Sequence, residues 1–320
     1  MTVTSTATRY RRFAAIGIAG ALLTGGATAC SSGGSSGGSP QPAGSGGVSP
    51  VQKVLDNAPV ASAADMPAGS VAAQIKARGT LDVGGTDTSP LFSFKDPTTG
   101  TYSGFDALLG EMLAKYITGK PAVQHTQVTV ATRETLLENH TVDVVIATYT
   151  ITPKRAKLVS FAGPYFDDGQ AILVRKNQTG IDKPQDLDGK TVVTETDSTA
   201  AADIKKFAPT AKVLLLDTND ECLQALEQRR ADAYVLDQSI VGGDALQNPG
   251  KVKVVGSTFT VEPYGIGVPK DEPAFKAFVD NWLRKIYADG EWTALWKATI
   301  GAAIGGTPPT PPTIGSVSGS

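Results

Sequence analysis

Apolar residues recur at a helical period in two long stretches of the chain. Between residues 105 and 116 they lie three or four positions apart, which places them on one face of an α-helix. A second stripe covers residues 273–287, where a proline suits the first turn of a helix. We therefore expect a helix over each stretch. The two stripes consist of Phe105, Leu108, Leu109, Met112, Leu113 and Tyr116, and of Phe275, Phe278, Val279, Trp282, Leu283, Ile286 and Tyr287.

Continuous apolar runs mark the strands. The run VDVVIA at residues 142–147 is typical of a strand that is covered on both faces of its sheet. Similar runs alternate with short helical segments along the chain, and such repeats predict an α/β fold with parallel sheets. The remaining predicted strands are 81–84, 171–174, 191–194, 213–216, 232–236 and 252–255, and the remaining predicted helices are 71–78, 132–138, 198–207, 220–229 and 238–246.

These elements form two α/β blocks in series, which favours two lobes with a ligand cleft between them. In open α/β sheets, ligands bind at the carboxyl ends of the strands. Polar residues follow several of the predicted strands, so we expect their side chains to converge on the cleft. They are Asp87, Thr148, Thr150, Arg155, Ser198, Thr199 and Asp237.

The start of the chain has the pattern of an export signal. Arginines precede an apolar run that is too short for the about 20 residues of a membrane-spanning helix, and the run ends in GATAC. This ending resembles the bacterial lipoprotein box, which predicts a signal peptide over residues 1–30 and acylation of Cys30. An ordinary signal peptide is the alternative, and both Sec and twin-arginine export stay open. The Gly/Ser/Pro-rich residues 31–70 are expected to form a flexible tether.

Composition removes several classes of function. The net charge of −2 and the 19% of charged residues give no basic patch for nucleic acid. The two histidines lack zinc-ligand spacing, and the chain has no nucleophile elbow, P-loop or dinucleotide fingerprint. We therefore expect no metal, no cofactor and no catalysis, although Glu195 and Asp197 remain acid–base candidates for an enzyme.

Residues 75–296 resemble the family 3 extracellular solute-binding proteins, the polar amino-acid receptors of bacterial ABC importers. The resemblance rests on five segments in order: GTDTSPLFSF with GFDALLGEML, TRETLLENHTVDVVIATYTITPKRAKLVSFAGPYF, LDGKTVVTETDST, RADAYVLDQ and EPYGIGVPK. The chain is most similar to actinobacterial glutamate/glutamine-binding lipoproteins. The resemblance implies a two-lobed periplasmic-binding-protein fold of type II, with an amino acid held in the cleft.

The resemblance also implies a role for each residue that contacts the backbone groups of the ligand. Arg155 of TITPKR corresponds to the arginine that clamps the α-carboxylate, which a planar guanidinium does with two hydrogen bonds. Ser198 and Thr199 correspond to a helix start that adds N–H groups for the same carboxylate. Thr150 and the backbone near Thr148 match the strip beside the ligand.

Asp237 corresponds to the aspartate that takes the α-ammonium, and three further residues bear on the ligand side chain. Asp87 occupies a position suited to amides or cations, and Arg133 occupies one that meets a distal carboxylate in binders of acidic amino acids. Phe92 is expected on the ligand stem, with a core position as the alternative. Together they imply glutamate, glutamine, aspartate or asparagine. Lysine or arginine stays open if Arg133 points outward.

The resemblance implies that the chain crosses between the lobes twice, once near residues 166–170 and once near residues 256–264. Lobe 1 then takes residues 71–168 and 261–303, lobe 2 takes 169–260, and residues 304–320 are expected to be a disordered or extended tail. The implied protein is a monomer, lipid-anchored to the outer face of the cell membrane, that delivers its ligand to ABC permease subunits. Two alternatives remain: an amino-acid sensor with a membrane signalling partner, and a dehydratase-like enzyme on the same fold.

Overall fold

The computed structural model describes residues 48–320. The predicted signal peptide, Cys30 and the first part of the predicted tether lie outside the described residues. Within residues 48–320, no helix combines the length and the apolar character that a membrane crossing requires.

Short helices and strands alternate along most of this span. The helices are α1 Pro50–Asn57, α2 Val71–Arg78, α3 Phe105–Thr118, α4 Arg133–Glu138, α5 Thr199–Phe207, α6 Asn219–Glu227, α7 Gln238–Gln247, α8 Pro273–Ala288, α9 Glu291–Ala298 and α10 Ile300–Ile304. The strands are β1 Leu81–Gly85, β2 Thr88–Ser89, β3 Ser93–Lys95, β4 Tyr102–Ser103, β5 Val123–Gln127, β6 Val144–Val145, β7 Ser160–Asp168, β8 Gln170–Arg175, β9 Thr191–Glu195, β10 Lys212–Leu216, β11 Ala233–Asp237, β12 Val252–Val255 and β13 Glu262–Val268.

The strands build two five-stranded sheets, one for each lobe, and a small three-stranded sheet. The first has the order β5-β1-β6-β13-β7 and the second the order β10-β9-β11-β8-β12. The prediction of parallel sheets is correct only in part, because β13 and β7 run antiparallel to their neighbours, as do β8 and β12. A parallel neighbour needs a long crossover connection, whereas β8 follows β7 after a single residue and therefore enters the second sheet without one.

The chain passes between the sheets twice, at Gly169 and again over residues 256–261. The two crossings run side by side. A Cβ atom on Gly169 would lie 2.5 Å from the carbonyl oxygen of Thr260, so the close approach of the crossings requires a glycine. These two segments connect the lobes, and we refer to them as the hinge.

Each lobe has its own apolar core. In lobe 1, helices α3, α8 and α9 pack on the first sheet, and Trp282 and Trp292 are fully buried among them. In lobe 2, helices α5, α6 and α7 surround strands β8, β9 and β11, and the core includes Val193, Leu226 and Tyr234. A further cluster in lobe 1 includes Leu137, Tyr149 and Phe161. Because the cores of the two lobes are separate, each lobe is able to move as a unit.

Both ends of the folded region pack on lobe 1. Residues 50–57, within the predicted tether, form helix α1, whose Val54 and Leu55 are buried in the lobe 1 core. Residues 305–320, within the predicted disordered or extended tail, contain no helix or strand and lie along lobe 1. Ile314 packs against its core, and the Gly315 N–H donates to the carbonyl of Gly163 at 2.8 Å. Each segment has so few apolar residues that its period is weak, but lobe 1 offers a surface that buries them.

Candidate functional site

A narrow cavity of about 20 Å³ lies between the lobes at the carboxyl ends of their strands. Lobe 1 contributes α4, the loop after β6 and the start of a 3₁₀ turn, and lobe 2 contributes the ends of β9 and β11 with the helices that follow them. Its lining combines charged, hydroxyl and apolar side chains. The lining residues are Val130, Arg133, Thr148, Thr150, Arg155, Glu195, Ser198, Thr199, Leu236, Asp237 and Ile240.

Arg155 reaches across from lobe 1 to lobe 2. Its guanidinium donates to the carbonyl of Thr150 at 3.0 Å and to the carbonyl of Asp197 at 3.2 Å. Its Nε lies 3.7 Å from a carboxylate oxygen of Glu134. Burial, and then the charge of Arg133, lower the pKa of Arg155 to about 10, so the side chain stays protonated at neutral pH. Arg155 is therefore a fixed cation between the lobes.

Helix α5 begins beside this cation. Ser198 caps it by accepting from the Ala201 N–H at 3.2 Å, while its own hydroxyl donates to the carbonyl of Glu195 at 2.7 Å. Asp197, just before the cap, has a φ of +59°, a backbone conformation that non-glycine residues rarely adopt. This turn places Ser198 and Thr199 on the cavity wall next to Arg155. Free N–H groups at a helix start and a guanidinium together suit a carboxylate.

Asp237 supplies the opposite charge. Its Oδ1 accepts from Nε2 of Gln170 at 2.6 Å, and its Oδ2 lies 2.6 Å from the hydroxyl of Tyr264, which is also 2.8 Å from Oδ2 of Asp168. Burial first, and then the charges of Asp168 and Glu262, hold the pKa of Asp237 well above its usual range. A buried carboxylate that shares one hydroxyl proton with a second carboxylate is stabilised by an arriving ammonium group.

Arg133 and Glu195 form a second pair of charged residues on the wall. The Arg133 guanidinium stacks on the Tyr149 ring at 3.8 Å and donates to the carbonyl of Ala147 at 3.0 Å, while its Nε is buried without a partner. The carboxylate of Glu195, from lobe 2, accepts no hydrogen bond from residues 48–320. Burial raises the pKa of Glu195 to about 7, against the opposing effect of Arg133 and with the added effect of Asp244.

The loop after β6 turns sharply into the cavity. The predicted strand 142–147 pairs only over β6, because the chain leaves the sheet before Thr148, whose φ is +43°. A β-branched residue in this conformation is strained. The Thr148 N–H donates to Oδ2 of buried Asp106 at 2.7 Å, and Asp106 also accepts from the Tyr165 hydroxyl at 2.8 Å. Asp106 thus holds the turn that directs Thr148 and Thr150 to the cavity.

The structure brings together seven of the nine predicted ligand-binding residues. The seven are Arg133, Thr148, Thr150, Arg155, Ser198, Thr199 and Asp237. Asp87 and Phe92 do not line this cavity, and a contact of either with the ligand stays a prediction. Asp87 accepts from the hydroxyl of Tyr102 at 2.7 Å in the small sheet, and Phe92 packs among aromatic rings of the lobe 1 core. Both follow β1, but the chain turns back into β2 and β3 and carries them away from the cavity wall.

Sequence reasoning missed three residues that shape the site. Glu195 ends a strand, as Asp237 does, so the expectation that polar residues at strand ends line the cleft applies to it as well. From the sequence, we considered it only as an acid–base candidate. Gln170 and Tyr264 lie on the two crossing strands, where nothing in the local sequence marks them as partners of Asp237. Gln170 also donates to the Thr199 hydroxyl at 3.0 Å, which ties Asp237 to the start of α5.

A larger cavity lies behind the hinge, between Phe92, Phe166, Leu246 and Trp296. Among residues 48–320, its charged lining residues are Asp167 and Asp168, and none of its lining residues is a cation. An amino acid is a zwitterion that needs both charges, so the smaller cavity is the candidate site.

The fold and the paired charges define a two-lobed binding protein with a cleft for a small zwitterion. The chain belongs to the bacterial extracellular solute-binding proteins, family 3, whose model matches residues 81–301. It is 36% identical to the ABC transporter glutamine-binding protein GlnH of Bacillus subtilis over 67% of this chain and 78% of that protein. It is 33% identical to the glutamate-binding protein GluB of Corynebacterium efficiens, over 70% and 79%.

Among solved structures, the chain resembles an ancestral arginine-binding protein bound to glutamine. The TM-score is 0.65 at 36% identity, covering 72% of this chain and 99% of the other. The family and the two-lobed fold predicted from the sequence are confirmed. These relatives are binding proteins of transporters rather than enzymes, so the prediction of a binder is also confirmed.

Proposed function

We propose that this chain is an extracytoplasmic receptor that binds glutamate, glutamine, aspartate or asparagine and delivers it to an ABC permease. One observation carries the proposal: Arg155 and Asp237, a buried cation and a buried carboxylate from different lobes, line one cavity. The α-carboxylate binds Arg155 and the start of α5, and the α-ammonium binds Asp237. The names of the relatives, which bind glutamine and glutamate, support the ligand class.

Ligand binding closes the hinge in this proposal. The Arg155 contact with the carbonyl of Asp197 already joins the lobes, as does the donation from Asn219 to the carbonyl of Thr88 at 2.8 Å. A ligand that contacts both lobes stabilises the closed arrangement over the open one, because half of its contacts exist only there. The closed form is the one that a permease recognises.

We further propose that Cys30 is acylated and that residues 31–47 link it to the folded region. We also propose that the protein is a monomer. Helix α1 supports this arrangement, because it packs on lobe 1 through Val54 and Leu55. An anchor that reaches the protein through α1 attaches to lobe 1 and leaves lobe 2 free to swing. Metabolic labelling with a radioactive fatty acid tests the anchor, with Cys30→Ala as the unlabelled control.

Calorimetric titration of the full chain with glutamate, glutamine, aspartate, asparagine and arginine tests the ligand class. Saturable binding of members of the acidic and amide set, with a return of the ligand chemically unchanged, is the expected result. Absence of binding by all five amino acids would contradict the proposal, and conversion of a ligand would favour an enzyme.

A further inference from the structure

We propose that Glu195 and Arg133 together recognise the carboxamide of the ligand side chain, so that the receptor prefers glutamine or asparagine to the corresponding acids. The inference rests on the proposed function, because it takes the α-groups to be held by Arg155 and Asp237. It adds the group at the distal end that distinguishes among the four candidate ligands.

Geometry is the first support. Arg133 comes from α4 of lobe 1 and Glu195 from the end of β9 in lobe 2, and both line the same cavity. They are too far apart for an ion pair, since none is formed between them within residues 48–320. A group placed between them can therefore contact both. Because the two residues belong to different lobes, this group contacts both only when the cleft is closed.

Hydrogen-bonding capacity is the second support. Arg133 is 3% exposed and uses one of its five N–H donors on Ala147, and its Nε is buried without a partner. Glu195 is 9% exposed, and its carboxylate accepts no hydrogen bond from the described residues. One wall of the cavity thus offers donors only, and the other offers acceptors. A carboxamide has a carbonyl for the first and an NH₂ group for the second.

Each alternative ligand side chain pairs with only one of the two residues, either Arg133 or Glu195. A side-chain carboxylate accepts from Arg133 but repels ionised Glu195, and two like charges brought together in a buried site oppose binding. A lysine or arginine side chain pairs with Glu195 but meets the fixed charge of Arg133. Arg133 does not point outward, since it stacks on Tyr149 inside the site. The carboxamide alone leaves neither group unpaired.

The test compares affinities of the full chain for glutamine, glutamate, asparagine, aspartate and arginine by calorimetry at about pH 8, where Glu195 is mostly ionised. We expect the better amide to bind at least about tenfold more tightly than its acid. In Glu195→Gln, whose neutral amide can donate to a ligand carboxylate, we expect this ratio to fall at least about tenfold. Glu227→Gln is the matched control, the same substitution on an α6 residue whose partner is Lys251 at the surface of lobe 2.

The outcomes separate the two proposals. Binding of the acids and amides with the same ratio in the parent chain and in Glu195→Gln overturns the role of Glu195 and leaves the receptor standing. Arginine as the tightest ligand also overturns it. No binding of any of the five overturns the receptor, and the carboxamide inference falls with it.

A second measurement needs no variant. Between about pH 8 and about pH 6, Glu195 takes up a proton and becomes a donor, so the affinity for the acid should rise relative to that for the amide. Protonation of Asp237 or Asp168 should change the affinities for the acid and the amide equally, because both ligands carry the same ammonium. Its effect therefore cancels in the ratio of the two affinities. A ratio that does not change over this range contradicts the inference. The charged and titratable groups near Glu195 are Arg133 on α4, Cys222 on α6, Tyr234 and Asp237 on β11, and Asp244 on α7.

Discussion

The two ends of the cavity differ in how far the protein itself satisfies their polar groups. At the α-group end, Arg155 donates to two carbonyls and Asp237 accepts from Gln170 and Tyr264. At the distal end, Arg133 makes one hydrogen bond and the Glu195 carboxylate accepts none from the described residues. The first end is held in place by its neighbours, and the second leaves its bonding capacity to the ligand.

Because of this difference, we expect the α-group end to provide affinity for any amino acid and the distal end to provide selectivity among them. Every amino acid presents the same carboxylate and ammonium, so an end fixed in advance binds all of them with little loss of side-chain freedom. The distal groups differ among ligands. A site whose buried polar groups lack a partner rejects any ligand that fails to pair them, because an unpaired buried group costs about 1–3 kcal/mol or more. We therefore expect substitutions at the first end to weaken all ligands and substitutions at the second to reorder them.

Loss of Arg155 should have the largest effect. Arg155→Ala removes the only cation assigned to the α-carboxylate and leaves that carboxylate in a site without its partner. We expect each ligand to bind at least about 100-fold more weakly, close to 3 kcal/mol. Calorimetry measures the change, and Arg78→Ala, which alters a surface arginine of lobe 1, is the control. A loss confined to one of the ligands would place Arg155 at the selective end instead.

Asp237→Asn should rank second. The amide keeps the shape and the hydrogen bond from Tyr264, but it removes the charge that meets the ammonium, so we expect a loss of about 30-fold, or 2 kcal/mol, for every ligand. Asp217→Asn, at an exposed position of lobe 2, is the control. Replacing the ligand amine by a hydroxyl should weaken binding to the parent chain but not to the variant. Equal weakening in both would contradict the assignment of the ammonium to Asp237.

Arg133→Gln tests the distal end from lobe 1. Removing the donor that meets the side-chain oxygen should weaken glutamine and glutamate by about tenfold each, or 1.4 kcal/mol. Alanine has no distal group, so its weaker affinity, measured by competition, should not change. An equal loss for alanine would mean that Arg133 shapes the whole cavity by its stacking on Tyr149 rather than contacting the ligand.

The smallest effect concerns the stability of the ligand-free chain. Burial raises the pKa of Glu195 to about 7, so the folded state disfavours the ionised form and loses stability as the pH rises from about 4.5 to above 7. Glu195→Gln should therefore increase the free energy of unfolding at pH 8 and leave it unchanged at pH 4. Urea unfolding at the two pH values measures this, and Glu227→Gln should show no such difference. A destabilising effect at pH 8 would contradict an unpaired Glu195.

Helices were the part of the fold most accessible to prediction. The stripes at 105–116 and 273–287 correspond to α3 and α8, because one apolar face of each packs on the first sheet. Helices α9 and α10 were not predicted, since each is short and follows closely on its neighbour. Strand direction was predicted only in part, because β7 and β8 enter their sheets through the hinge rather than through a crossover helix.

The site shows the same division. Arg155, Asp237 and the start of α5 follow predicted strands and lie together as expected. Asp87 also follows a predicted strand but does not line the cavity, because Tyr102 binds its carboxylate in the small sheet. Local sequence gives the position of a side chain along a strand but not which other strand ends come close to it.

The sequence alone determined the periodicity of the elements, the two α/β blocks and the charged residues that end their strands, because these features depend on neighbours within a few positions along the chain. Only the tertiary structure decided that Arg155 bonds to the carbonyl of Asp197 and that Arg133 faces Glu195. Members of each pair belong to different lobes and are separated by many residues. Their meeting depends on the angle set by the crossings at Gly169 and residues 256–261, which no local pattern encodes.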